Sequence, residues 1–256
     1  MLRLSLLLLV AISMCFVVGC SSDDDIVVPP AELYEAHGDF TNFLVGDGSV
    51  DTRMNVHLGT SLMVADNISP HETALDEELL LGSELETASI GITLTYGGGA
   101  VLNEGEEFSL IRDRRYLFMA CGLVSAATGQ LKPTLLQLTP LAKPGVGHVQ
   151  FRFVHTLAGN PIAVDVHVNG EVISNVGYGT VSTAVTFAAR PIGQDELLVV
   201  PTGVTPDGTN EIWKSTGQLL FVMDEHYDGV LTHHPKSVFD GDINGRPSMK
   251  LIQSPY

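Results

Sequence analysis

Side chains with chemistry to offer are scattered thinly along this sequence. Asp240-Gly241-Asp242-Ile243-Asn244-Gly245 places oxygen donors at alternate positions and a glycine at the sixth, the first half of a loop that closes on a hard cation such as calcium. The second half is missing. Leu251 stands at position twelve, where a bidentate carboxylate is needed, and Arg246 adds positive charge beside the loop. Asp240, Asp242 and Asn244 are thus candidate calcium ligands, set against a plain acidic turn. His226, His233 and His234 lie in DEHYDGVLTHHPKS with Asp224, Glu225 and Asp228, donors that suit zinc or copper. Their spacing is irregular and neighbouring strand residues face opposite ways, so an incidental loop cluster is the preferred reading. His155 falls on the face of Phe151 and Phe153 and reads as a hydrogen-bonded imidazole at the edge of a core. No nucleophile motif accompanies it, so no catalytic residue is assigned and no cofactor is expected. Cys121, inside the apolar run LFMACGLV, reads as a packing residue, and Trp213, matched with Leu110, as an interior or interface anchor.

The elements that must carry these residues are strands. In residues 149–170, VQFRFVHTLAGNPIAVDVHVNG, Val149, Phe151, Phe153 and His155 alternate with more polar neighbours, and Val164, Val166 and Val168 alternate with Asp165 and His167 before Asn169-Gly170 turns the chain. Residues 40–59, FTNFLVGDGSVDTRMNVHLG, form an approximate copy at an offset of 110, pairing Phe43 with Phe153 (153 − 43) and Met54 with Val164 (164 − 54). The same offset sets Val45 against His155 and Asn55 against Asp165. Later segments also correspond: RYLFMACG with QLLFVMDE, making residues 218–223 a strand, and KPTLLQLTP with RPSMKLIQSP. One segment is ambiguous, because Ser69-Pro70-His71-Glu72 has the parts of a helix start before ALDEELLL, while its counterpart TVSTAVTFAA is β-branched. Strand is expected there. The whole predicts an all-β chain of two tandem immunoglobulin-like antiparallel sandwiches, at 37–140 and 148–256, joined by a Pro/Gly-rich linker at 141–147.

Composition limits the function. The chain has 256 residues and a formal charge of −17, which disfavours nucleic acid and anionic lipid head groups as ligands. Residues 1–19 have a basic start at Arg3 and an apolar run too short to span a bilayer, the plan of a secretory signal. Val17-Val18-Gly19-Cys20 resembles the lipobox of bacterial lipoproteins, which implies cleavage before Cys20 and acylation of that residue. Residues 20–36 then form an acidic, proline-containing tether. Ser21, rather than Asp, after the cysteine implies transfer to the outer membrane, on either its periplasmic or its outer face. If Cys20 carries lipid, Cys121 has no intrachain partner and the modules rest on their cores alone.

Val154-His155, Pro161, V-D-V-H-V-N-G at 164–170, Asn175-Val176 and Gly179-Thr180 resemble the signature of a bacterial envelope module, domain of unknown function 4397. The likeness covers 149–200 well and the first half weakly, and His167 replaces the usual tyrosine. It implies tandem sandwiches on a secreted or lipid-anchored protein, with Asp165 as the partner of His155 and with His155, Asp165 and Gly170 as structural members of the motif. It brings no activity. The expectation is a non-enzymatic binding, adhesion or structural protein held to the membrane through the lipid on Cys20, with an unknown protein or glycan partner. The alternative is a periplasmic or surface protein that binds a metal or small ligand.

Overall fold

A computed structural model describes residues 33–46, 51–59, 62–95, 101–124, 133–215, 221–235 and 246–253, which fall within one compact unit, Glu32–Tyr256. Every named element among them is a strand. The first half contains β1 (Tyr34–Gly46), β2 (Met54–Leu58), β3 (Leu62–Ile68), β4 (Thr73–Leu81), β5 (Leu85–Leu94), β6 (Val101–Ile111), β7 (Arg115–Val124) and β8 (Thr134–Leu138). The second contains β9 (His148–His155), β10 (Val164–Val168), β11 (Glu171–Val176), β12 (Val185–Ala188), β13 (Leu197–Pro201), β14 (Trp213–Lys214), β15 (His226–His233) and β16 (Pro247–Gln253).

The two halves have the same topology. Sheets β4-β1-β7-β8 and β3-β2-β5-β6 in the first half match β12-β9-β15-β16 and β11-β10-β13-β14 in the second. Each pair of sheets encloses a core, with Phe40, Met54, Ile92 and Phe118 central to one and Phe151, Phe153, Val166 and Val199 to the other. The segment with a helix-like start is β4, an edge strand antiparallel to β1, so the β pairing overrides local helix preference. Two pairings depart from the all-antiparallel expectation: β1 with β7 and β9 with β15 run parallel. Their crossovers are made by strands of the opposite sheet, which replace the helices of a βαβ unit.

A third apolar cluster joins the halves. Phe43, Leu117, Met119, Cys121 and Leu138 of the first inner sheet meet Val154 and Val230 of the second, with Ile252 and Val181 packed against them. The inner sheets are therefore covered on both faces. This explains why β7 and β15 are buried along nearly their whole length instead of alternating.

Two sequence expectations are corrected here. The counterpart of β7 is β15, HYDGVLTH; of the strand expected at 218–223, residues 218–220 lie outside the described residues and 221–225 are turn and irregular backbone, while the histidine-rich segment expected as a loop is a central buried strand. Two tyrosines mark the true register. Tyr116 Oη accepts the Ile111 N–H at 2.9 Å and Tyr227 Oη accepts the Val222 N–H at 3.0 Å, each reaching back five residues round a corner. Asp113 and Asp224 precede them by three residues, both with positive φ (58° and 65°). The second correction concerns β1. The offset of 110 holds for β2 and β10, but β1 and β9 align at 113, so Phe40 takes the place of Phe153 and Asn42 that of His155 (155 − 42). The connection into β2 is longer by that difference of three residues. Phe43, paired with Phe153 by the uniform offset, lies instead in the cluster between the halves. Trp213 likewise stands opposite Val199, as Asn103 stands opposite Ile92, whereas Leu110 pairs with Glu86; it is half-buried against the second core.

Candidate functional site

The motif residues separate into structural latches. His155 is fully buried; its Nε2–H donates to the Ile162 carbonyl at 3.0 Å, and Nδ1 accepts the Leu157 N–H at 3.3 Å. Burial pushes its pKa down, so the ring is neutral with both nitrogens in use. Asn42 makes the same connections in the first half: Nδ2 donates to the Thr52 carbonyl at 2.8 Å and Oδ1 accepts the Leu44 N–H at 2.9 Å. Both tie the first strand to the residue two before the next.

Asp165 is not the partner of His155. Its carboxylate accepts the Asn175 N–H at 2.7 Å and the Gly203 N–H at 2.8 Å, fastening the bulge in β11 to the turn after β13. Burial alone would raise its pKa, but those two donors, with the Thr202 hydroxyl and nearby His167, outweigh it and hold the group below the usual carboxylate range. Asn55 does the equivalent work, accepting the Asn67 N–H at 2.9 Å and the Thr95 hydroxyl at 2.9 Å. Gly170 completes the Asn169-Gly170 turn, where φ values of 50° and 97° favour these residue types.

The histidine cluster is drawn apart by its strand. His226 and His233 are both fully buried but lie at opposite ends of β15, about 23 Å apart at the usual rise, and point to opposite faces. His233 Nε2 accepts the Gly159 N–H at 3.1 Å, while His234 is exposed. Among the described residues no group of three or more His, Cys, Asp or Glu is placed to hold a metal. Asp240, Asp242, Asn244 and Cys20 lie outside the described residues. Cys121 is free and buried, and burial, then Glu106, push its thiol up to about 12, which removes it from thiolate chemistry at neutral pH.

Where the halves meet, the structure assembles a site from residues that no motif marked. A cleft of about 480 Å³ opens between β1, β4 and β7 on one side and β16 with Glu225 on the other. On its first wall the Asp39 carboxylate accepts the Asp76 N–H at 2.8 Å and both Nε and Nη2 of Arg115, at 3.0 and 2.7 Å. Asp76 is the positive-φ residue of a bulge in β4, so this ion pair also fixes the rim. The Thr41 and Thr73 hydroxyls share a hydrogen bond of 2.8 Å.

From the second wall Lys250 crosses the junction. Its ammonium donates to the His71 carbonyl at 3.1 Å and lies 5.4 Å from the centre of the Phe43 ring. His71, Phe43, Lys250, His233 and His234 thus converge from both halves. Burial, followed by the charges of Lys250, His233 and His234, pushes the His71 imidazole down to about 4, which keeps it neutral beside the lysine. His71 also has a φ of 65° where the second half has Gly179 at 69°. The sequence held one signal for this site. KPTLLQLTP and RPSMKLIQSP set Lys250 where the first half has Leu136, on the same strand face as Ile252 and opposite to Met249 and Leu251.

No family model matches this chain, and no curated protein matches it.

Proposed function

We propose that this chain is a lipid-anchored protein of the bacterial cell envelope, tethered through Cys20, that acts as a non-enzymatic binding body, and that it is a divergent relative of the envelope modules it resembles. The observation that carries the reading is the buried junction. A cluster around Phe43, Met119, Val154 and Val230 holds the sandwiches together, and the Arg152–Asp228 pair reaches across it to the Thr139 carbonyl at 3.0 Å. Such a junction presents the cleft in one geometry, and preorganised concave sites between packed units are where small ligands bind. The side chains best suited to acid–base work, His155 and Asp165, are committed to backbone partners, which favours binding over turnover. The signal-like residues 1–19 and the cysteine that follows support the anchor.

The anchor is tested by feeding an alkyne-tagged palmitate analogue to cells expressing the wild-type chain or Cys20→Ser. Label and membrane fractionation should both disappear in the variant. Label kept by Cys20→Ser would remove the anchor from the reading. Protease treatment of intact cells then assigns the membrane face.

A further inference from the structure

Lys250 is the least expected charge in the molecule. The chain has 30 Asp and Glu against 13 Lys and Arg, so carboxylates are plentiful, and Arg115 and Arg152 each hold one. The contacts of Lys250 are a carbonyl oxygen and an aromatic ring, and among the described residues no carboxylate pairs with it. A half-buried ammonium in that position carries a desolvation cost that an anion from outside would offset. A second donor lies in the same cleft. Of the two hydroxyl protons of Thr41 and Thr73, one is spent between them and the other is left for an acceptor.

The rest of the wall is apolar. Leu117, Leu251 and Ile252 line the cleft, and Leu75 stands at its mouth, 65% exposed. Glu225 on the same wall and the overall charge of −17 disfavour a multiply charged anion. The volume of about 480 Å³ suits a small molecule. We infer that the cleft binds a small organic monocarboxylate, its head taken by the Lys250 ammonium and a threonine hydroxyl and its apolar body by Leu75, Leu117 and Ile252. This inference rests on the reading of the junction as a binding site.

The test is calorimetric titration of octanoate and 4-phenylbutyrate into the full chain carrying Cys20→Ser, beside the matched neutral amides. One carboxylate is expected to bind per chain, about tenfold or more tighter than its amide, with Lys250→Met removing that advantage. Affinity should fall as pH rises through the lysine range, and earlier than for an ordinary lysine because burial lowers this one. Leu75→Glu, on an exposed side chain, should weaken carboxylate binding severalfold at unchanged melting temperature, and it decides the matter if Lys250→Met does not fold. Equal affinity for acid and amide, or wild-type acid affinity in Lys250→Met, overturns the anion and leaves the binding site standing, whereas wild-type affinity in Leu75→Glu puts the ligand outside the cleft and overturns both. Silence of acids and amides alike removes both.

Discussion

Asp228→Asn should be among the most damaging conservative substitutions in this chain. Arg152 Nε and Nη2 donate to the two carboxylate oxygens at 2.7 and 3.1 Å, and the side chains are 6% and 0% exposed. Asn keeps the shape but removes the charge, leaving a guanidinium inside the junction with a carbonyl and an amide for company. Breaking a buried pair in this way costs about 3–5 kcal/mol. At about 2–4 °C per kcal/mol for a unit of this size, the melting temperature should fall by roughly 6–20 °C. Arg152→Met with Asp228→Leu removes both desolvation penalties along with the attraction, and should lie within about 1–2 kcal/mol of wild type, on either side. Differential scanning calorimetry on the wild type, the two single variants and the double variant closes the cycle. If Asp228→Asn shifts the transition by less than about 2 °C, or the double variant is as unstable as the singles, the pair is not the buried tie described here.

Further outcomes follow from the repeated corners and latches. Tyr116→Phe and Tyr227→Phe should each cost about 1 kcal/mol by urea unfolding, and their effects should add, because each leaves one backbone N–H without its acceptor. His155→Asn should be milder than His155→Ala, since Asn42 shows that an amide can make both connections, whereas alanine leaves the Ile162 carbonyl and the Leu157 N–H unmet at about 2–3 kcal/mol. Stability should decline as pH falls. His71, depressed in the fold by burial and then by Lys250, His233 and His234, takes up its proton first in the unfolded chain; the loss begins near 6.5 and is complete near 4. Discounted for its partial exposure, His71 should supply about 1 kcal/mol of that loss, which His71→Gly would abolish in a denaturation series across pH. Cys121, with its thiol pushed up to about 12, should resist a disulfide-exchange reagent until the chain unfolds; stoichiometric labelling of the native protein at neutral pH would contradict its burial.

What was legible in the sequence and what was not divide along physical lines. Alternation in β2, β5 and β10, each with one face on a core, announced strands plainly, and the β-branched counterpart of residues 73–81 settled that segment as β4. β15 was hidden for the opposite reason. Covered on both faces, it needs no alternation; Asp228 is tolerated inside because it meets Arg152 from a neighbouring strand, and His233 because its ring accepts the Gly159 N–H. The register of β1 was lost because one fixed offset cannot pass through connections of unequal length. The pattern Asp-x-x-Tyr, at Asp113 with Tyr116 and at Asp224 with Tyr227, would have restored β7 and β15. Apart from the lysine that replaces Leu136, the cleft was beyond reach, since its walls come from strands more than 100 residues apart, such as Thr41 and Lys250.

The junction also sets like against like. The inner sheet of each half meets the inner sheet of the other, yet equivalent positions differ, with Asp39 in one half where Arg152 stands in its sister. Identical subunits that met through one such surface would have to present the same residue twice. A single polypeptide carries no such constraint. The same strand position holds Leu136 in the first half and Lys250 in the second, and the second alone offers a charge to the cleft.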